Sequence, residues 1–361
     1  MSAGVTNYQC PACTGPLQFS SEMGKLVCEY CGNDYEPDYI EDIYSNEEAK
    51  DSGEMPSWAT GEAGMAWSET ETASLRAYSC PSCGAEIICD HTTAATSCVY
   101  CGNPTIVPGQ LGGALKPDYV IPFQLDKEAA KEKLRAYYKN KRLLPKSFSG
   151  GNHIEEIKGI YAPFWLFDGK ADAHVRFSAK RVHKRTSGNY EITTIENYRI
   201  VREGNVTFYK VPVDGSTKMP DAHMDAIEPY DYKDLREFST AYLPGFLADK
   251  YDLDAAECAP RANSRIRGSV EMALKSTVTG YSLVTPELTN IRLRQGEVKY
   301  ALLPVWMLHT KWNGKSFLFA MNGQTGKLIG DLPIDKGRYL AWLVGISLPL
   351  ALILLLIFFV L

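Results

Sequence analysis

The sequence predicts a multidomain protein: two small four-cysteine zinc ribbons made of β-structure, an α+β domain with an antiparallel sheet, and one C-terminal transmembrane helix. Three observations carry this. Eight of the ten cysteines fall into four Cys-x-x-Cys pairs with a repeated spacing. Residues 115–335 alternate between helical and strand periodicity. Residues 339–361 carry no charge and are apolar almost throughout. The chain divides accordingly into a first ribbon (1–35), an acidic linker (36–77), a second ribbon (78–110), the α+β domain (115–335) and the membrane helix (339–361).

The ribbons justify themselves by repetition. Cys10 and Cys13 are followed by Cys28 and Cys31; Cys80 and Cys83 are followed by Cys98 and Cys101. Fourteen residues separate the second cysteine from the third in both clusters, and both end in Cys-x-Tyr-Cys-Gly-Asn. Two residues between cysteines let a tight turn aim both thiolates at one ion, and two such turns complete a tetrahedral shell of four sulfurs. Proline after the first cysteine fixes φ, and glycine after the last permits a left-handed turn. The insert is long enough for a β-hairpin. A shell of four thiolates leaves no open position, so two structural Zn²⁺ sites are expected rather than catalytic ones. Redox Cys-x-x-Cys is the rival reading, but no thioredoxin-like βαβ pattern surrounds either pair. Cys89 and Cys258 fall outside the pattern and read as small buried side chains; Cys89 and His91 could serve as spare ligands.

Residues 36–75 hold eleven acids and one base, Lys50. This composition reads as a flexible linker. Trp58 and Trp67 are the exceptions, suited to docking on a ribbon or partner, or to shelter against the body.

In the α+β domain, Asp126 caps a helix expected to reach Arg142, with Ala130, Leu134, Tyr137 and Tyr138 on one face. Lys127, Lys131, Arg135 and Lys139 recur on another face, which reads as solvated or as contact with an anionic bilayer. Ala171, Ala173, Val175, Phe177 and Ala179 alternate as a strand; turns are expected at 187–189 and again at Gly204-Asn205. Pro260 is expected to open a helix to Lys275. Residues 303–312 and 315–322 read as a hairpin around Asn313-Gly314. Tyr161-Ala-Pro-Phe-Trp-Leu-Phe167 echoes Leu302-Leu-Pro-Val-Trp-Met-Leu308, which suggests two related strands whose tryptophans fill a shared core.

Sixteen of the last 23 residues are Leu, Ile, Val or Phe. As a helix they span about 34 Å, against a hydrocarbon core of about 30 Å. Lys336 and Arg338 precede the run, which places the N-terminal bulk in the cytoplasm of a single-pass protein of the cell membrane. No secretory signal is read at the N-terminus.

Catalytic signatures are absent: there is no H-E-x-x-H, G-x-S-x-G, G-x-G-x-x-G or Walker motif, so no catalytic or cofactor-binding residue is assigned. Gly323-Gln-Thr-Gly-Lys327 reads as a β-turn. The ribbons carry few bases: residues 1–35 have Lys25 against three acids, and residues 78–110 have none. Nucleic acid is therefore not expected as a partner.

The ribbon pattern resembles the zinc ribbon of the transcription factor TFIIB. With the segments around Phe164-Trp165, Ala241–Asp249, Leu303–Met307 and Met321–Lys327 and the terminal apolar run, the whole chain resembles the TFIIB-type zinc-ribbon membrane proteins of Gram-positive bacteria. Some of these accompany phage-shock and flotillin-like membrane-stress proteins, and the resemblance implies a recruiting role. The expected function is a membrane-anchored adaptor that recruits a cytoplasmic protein. A membrane-tethered nucleic-acid-binding regulator is the alternative, and a membrane-bound enzyme the third reading.

Overall fold

The structure, a computed structural model, describes Tyr8, Cys10, Ile40 and residues 16–20, 23–29, 33–37, 58–90, 92–93, 97–104, 107–109, 115–139, 141–149, 152–294 and 296–360. It shows a sheet-rich body with one apolar C-terminal helix. Two compact units can be distinguished: Met1–Ser57 with Lys170–Val206 and Arg267–Arg294, and Trp58–Gly169 with Thr207–Ile266 and Gln295–Leu361.

In the first unit, Leu17–Ser20, Lys25–Cys28 and Asp34–Tyr35 form a three-stranded antiparallel sheet. This is the hairpin expected between the first and second cysteine pairs. Leu26 and Ile40 are buried beside Tyr8, Leu17 and Tyr35. The same unit holds residues 170–187 of the strand Lys158–Ser187, antiparallel to Leu283–Leu293 from Leu283↔Lys180 to Leu293↔Ala171. Ala171, Ala173, Val175, Phe177 and Ala179 are buried, as a period of two requires. The turn at 187–189 forms around Gly188, whose φ is +60°. The second expected turn does not: Tyr190–Asp214 is one continuous strand through Gly204 and Asn205. Both residues are exposed, and the strand pairs with Lys158–Ser187, which keeps the chain extended through them.

In the second unit the sheet is built around an antiparallel pair, residues 158–168 against 297–307. Tyr119–Val120 lies parallel to Gly296–Trp312, and Leu247–Asp249 lies parallel to Lys158–Ser187. Beyond Leu247–Asp249 the sheet continues through Glu86–Asp90, Leu75–Ser79 and Val107–Gly109. Lys315–Asn322 folds back on Gly296–Trp312 through Asn313 and Gly314. Their φ values of 49° and 75° are those of the expected tight hairpin turn.

The echoed segments are each other's antiparallel partners, and they mark a repeated order of strand, helix and two further strands, with Leu283–Leu293 added after the helix in the second copy. Pro304 pairs with Tyr161, and Leu302 with Pro163. The two proline carbonyls are treated alike: Gly215 N–H donates to Pro163 O at 3.0 Å, and Gly323 N–H to Pro304 O at 2.8 Å. The tryptophans have matching partners. The Trp165 indole donates to Leu253 O at 2.9 Å, and the Trp306 indole to Leu125 O at 3.1 Å. Each leucine precedes a capping aspartate: Asp126 accepts from Ala129 N–H, and Asp254 from Glu257 N–H, both at 2.8 Å. Trp165 meets Tyr251 edge-on with 5.1 Å between centroids, and Trp306 meets Phe123 likewise at 5.1 Å. The two tryptophans thus anchor two related aromatic groups.

Both faces of this pair are buried, which explains their continuous apolar sequence. Ile160, Ala162, Phe164 and Leu166 share a core with Leu303, Val305 and Met307. Trp306 shares another with Leu134, Tyr138 and Phe148, on or just after the helix Lys127–Lys139. The second long helix, Ala255–Ser276, contains Pro260 rather than starting there. Asp254 caps it, so the proline sits about one turn in and removes one hydrogen bond from an otherwise closed ladder.

Residues 58–77, inside the stretch read as linker, are folded. Trp58 is buried, 5.0 Å from Phe167, and donates to Asn263 Oδ1 at 3.0 Å. Ser68 and Glu71 form a capping box on Glu69–Ala73, and Glu71 pairs with Lys116 at 2.7 Å. The two tryptophans supply apolar area that the acidic composition concealed. The terminal helix, Lys336–Val360, is long and apolar enough to cross a membrane, and its described large apolar side chains, such as Leu343, Ile346, Leu350 and Phe358, are exposed.

Candidate metal centre

Cys80, Cys83, Cys98 and Cys101 converge so that their four Sγ atoms lie within 4.8 Å of one another. Cys80 and Cys101 are 3.7 Å apart, and Cys83 and Cys98 are 3.6 Å apart. Four thiolates at about 2.3 Å from a central ion stand about 3.8 Å from each other. The group therefore fits a tetrahedrally held metal ion.

Two matching turns make this geometry. Cys80 N–H donates to Ala85 O and Cys98 N–H to Asn103 O, both at 2.9 Å. Gly84 N–H closes on Cys80 O, and Gly102 N–H on Cys98 O. Both glycines have φ of +70°, so each supplies the left-handed residue the turn needs. At Gly102 a Cβ would also stand 2.6 Å from His309 Nδ1.

The turns aim N–H groups at sulfur. Burial raises the Cys80 thiol, but N–H groups of Cys83 and Ser82 outweigh it and bring it down to about 7. Cys98 receives the equivalent bonds from Cys101 and Tyr100, yet burial dominates and pushes it up. Burial likewise raises Cys83. An ion that keeps all four as thiolates would offset this desolvation.

The cluster is anchored in the body. Ile88 of Glu86–Asp90 pairs with Ala248, and Cys80, Cys98 and Tyr100 belong to the same core as Phe164 and Val305. The Tyr100 hydroxyl, between the last two cysteines, donates to Asp249 Oδ2 at 2.6 Å, and Ser216 Oγ donates to the same oxygen at 2.7 Å. Asp249 Oδ1 and Asp214 Oδ2 are buried without a hydrogen-bond partner. Burial lifts the Asp249 carboxyl to about 7 and raises Asp214 well above the usual range. In the duplicated frame these two acids stand where the other half has Ile121 and Asn322. Sequence reading missed them because only the fold brings them together.

A cleft of about 690 Å³ flanks Cys98, lined by His153, Glu156, Lys158, His309 and Lys311 among others. The two histidines have no sequence relation and meet only here. Lys158 donates to Ser97 O at 3.2 Å. Cys89 and Cys258 are buried as expected, giving hydrogen bonds to Thr93 O and Asp214 O. In the first cluster Cys10 and Cys28 are buried; Cys13 and Cys31 lie outside the described residues, as does His91.

The chain is similar to the uncharacterized protein YdjG of Bacillus subtilis (strain 168), 35% identical over 351 residues, covering 95% of this chain and 94% of the relative. It belongs to the YdjG family. No family model matches it, and no solved structure does. In this YdjG-family chain the four-cysteine cluster and the apolar helix belong to the same compact unit.

Proposed function

We propose that the chain is a membrane-anchored zinc-ribbon adaptor that recruits a cytoplasmic protein to the bilayer. The carrying observation is the terminal helix: apolar on every side, exposed, and fused to a body whose cysteine cluster closes on itself. The sixteen Leu, Ile, Val and Phe of residues 339–361 favour insertion by several kcal/mol, at about 0.3–0.6 kcal/mol each for central positions. Lys336 and Arg338 hold the body on the cytoplasmic side.

Zinc is the ion that suits a tetrahedral shell of four sulfurs. We assign a second zinc to Cys10, Cys13, Cys28 and Cys31. The repeated spacing supports this, as does the bond from Cys28 N–H to Asn33 O at 2.9 Å, matching that from Cys98 to Asn103. Closed sites are structural, so the ribbons serve to shape a surface. The resemblance to TFIIB-type zinc-ribbon membrane proteins supports recruitment in a membrane-stress response. Exposed Tyr190 (78%) and Ile195 (56%) on the hairpin of the first unit offer a protein partner apolar contacts.

The test is crosslinking followed by pull-down from membranes, comparing the full chain with one lacking residues 1–57. The second ribbon is kept because its strands belong to the body sheet. The adaptor should capture a specific protein that the shortened chain loses and that Tyr190→Ser with Ile195→Ser in the full chain captures less. Recovery of nucleic acid that weakens steeply with salt would overturn the reading.

A further inference from the structure

A groove of about 400 Å³ is lined by Arg135, Lys139, Lys141, Arg142 and Arg338, with Tyr138 and Leu144 at its floor and no acid among the described lining residues. Arg135 is paired with Glu155 at 3.1 Å, and Arg338 with Asp335 at 3.6 Å. Lys139, Lys141 and Arg142 have no acidic partner among the described residues. All three are exposed. Two of them contact aromatic rings instead: Lys141 lies over Tyr137 at 4.5 Å, and Arg142 over Trp342 at 5.3 Å. Cations crowded together without counter-charge repel one another and favour an anion between them.

The groove is fixed to the start of the terminal helix. Asp335 N–H donates to Leu143 O at 2.9 Å, and the Arg338 guanidinium donates to Leu144 O at 2.7 Å. Trp342 lies in the first turns of the apolar run, and tryptophan settles at the headgroup level of a bilayer. Arg142, stacked on it, stands at the same level. Guanidinium groups bind phosphate oxygens in pairs, and lysines add mobile charge.

We propose that this groove is a binding site for the phosphate headgroup of an anionic glycerophospholipid. The proposal rests on the membrane-anchored reading and deepens it: the helix holds the chain in the bilayer, and the groove selects the lipid beside it. It also gives Arg135 and Lys139, which recur on one face of their helix, a role that Lys131 on the same face does not share, since Lys131 is buried between Glu128 and Glu155 at 2.7 and 2.6 Å.

The experiment uses the full chain in two arms. In the first, the chain is reconstituted into phosphatidylcholine vesicles and extracted with alkaline carbonate. Resistance to extraction supports anchoring, and release overturns the anchored reading together with the site. In the second, native mass spectrometry from detergent counts bound phosphatidylglycerol against phosphatidylcholine. The unaltered chain should prefer the anionic lipid by about tenfold or more, consistent with about 1 kcal/mol per basic residue at a membrane surface. Lys139→Gln, Lys141→Gln and Arg142→Gln together should abolish the preference while leaving carbonate resistance intact; Lys139→Arg with Lys141→Arg should keep it. Lys184→Gln with Arg185→Gln, on a basic stretch outside the groove, should have no effect. A chain that resists extraction but shows no lipid preference overturns the site alone. Equal loss in the Lys184/Arg185 variant shows bulk charge at work and also overturns it. Displacement of the lipid by millimolar inorganic phosphate identifies a free-phosphate site and overturns the lipid assignment.

Discussion

Replacing Asp249 by asparagine should remove a pH dependence from the stability of this protein. The carboxyl is 1% exposed; one oxygen accepts from Tyr100 and Ser216, and the other has no partner. Burial raises its pKa from 3.8 to about 7. A raised carboxyl pKa means that the folded state holds a proton the unfolded state has released. Stability is therefore highest below the unfolded value and is lost as pH rises through the folded one, then levels off. A carboxyl raised that far is worth about 4 kcal/mol over the whole window, and about 1.4 kcal/mol of that is lost between about pH 6 and pH 8. Asp214, raised for the same reason, acts in the same direction. Asparagine keeps an acceptor for Tyr100 and Ser216 but cannot ionise, and any cost of its amide is independent of pH. The measurement is the urea midpoint of the detergent-solubilised chain and of Asp249→Asn across this range, where metal release affects both alike. The difference should shift in favour of the variant as pH rises. A difference that stays flat, or moves in favour of the unaltered chain, would refute the buried-acid argument.

Metal analysis of carefully purified protein should find about two zinc ions per chain if the first cysteine cluster holds an ion as proposed; less than one would overturn the assignment. Cys98→Ser should lose one of them and loosen the edge of the body sheet, whereas Cys28→Ser should lose the other and leave the body's melting unchanged. Trp165→Phe and Trp306→Phe should each cost about 1 kcal/mol or more, because each removes the hydrogen bond to a half-buried leucine carbonyl. The two losses should be alike, and a marked inequality in denaturation would count against the duplicated frame. Gly102→Ala should cost at least about 1 kcal/mol, because a left-handed residue gains a Cβ. His309→Ala should recover part of that loss by vacating the space, and a double-mutant cycle reads the coupling.

The local chemistry of the second cysteine cluster was legible in the residues themselves. The spacing of Cys80, Cys83, Cys98 and Cys101 dictates two tight turns, and Gly84 and Gly102 take the left-handed φ that such turns demand. The terminal helix was legible for a similar reason: an uncharged run of that length has one regular way to satisfy its backbone away from water. The hairpin at Asn313-Gly314 and the alternation from Ala171 to Ala179 also follow from nearest neighbours. Sequence reading failed where a local signal was overridden by pairing or packing. Gly204-Asn205 looked like a turn, but the strand Tyr190–Asp214 runs extended through both. Pro260 looked like a helix start, but Asp254 capped the helix earlier. Residues 58–77 looked like a solvated linker, but Trp58 and Trp67 packed into place.

What the sequence determined by itself was thus the set of elements whose physics is short-ranged: thiolate spacing, apolar length, turn residues and strand alternation. The echo around Trp165 and Trp306 was visible, but not its meaning. Only the tertiary structure pairs the two segments, directs their indole hydrogen bonds to Leu253 and Leu125, and reveals a duplicated frame. Only it buries Asp214 and Asp249 near Tyr100, gathers His153 and His309 into one cleft, and sets Arg142 on Trp342. These contacts join residues from 35 to 200 positions apart. No local preference encodes them, because they arise when buried faces of distant strands and helices find the one register in which both are covered.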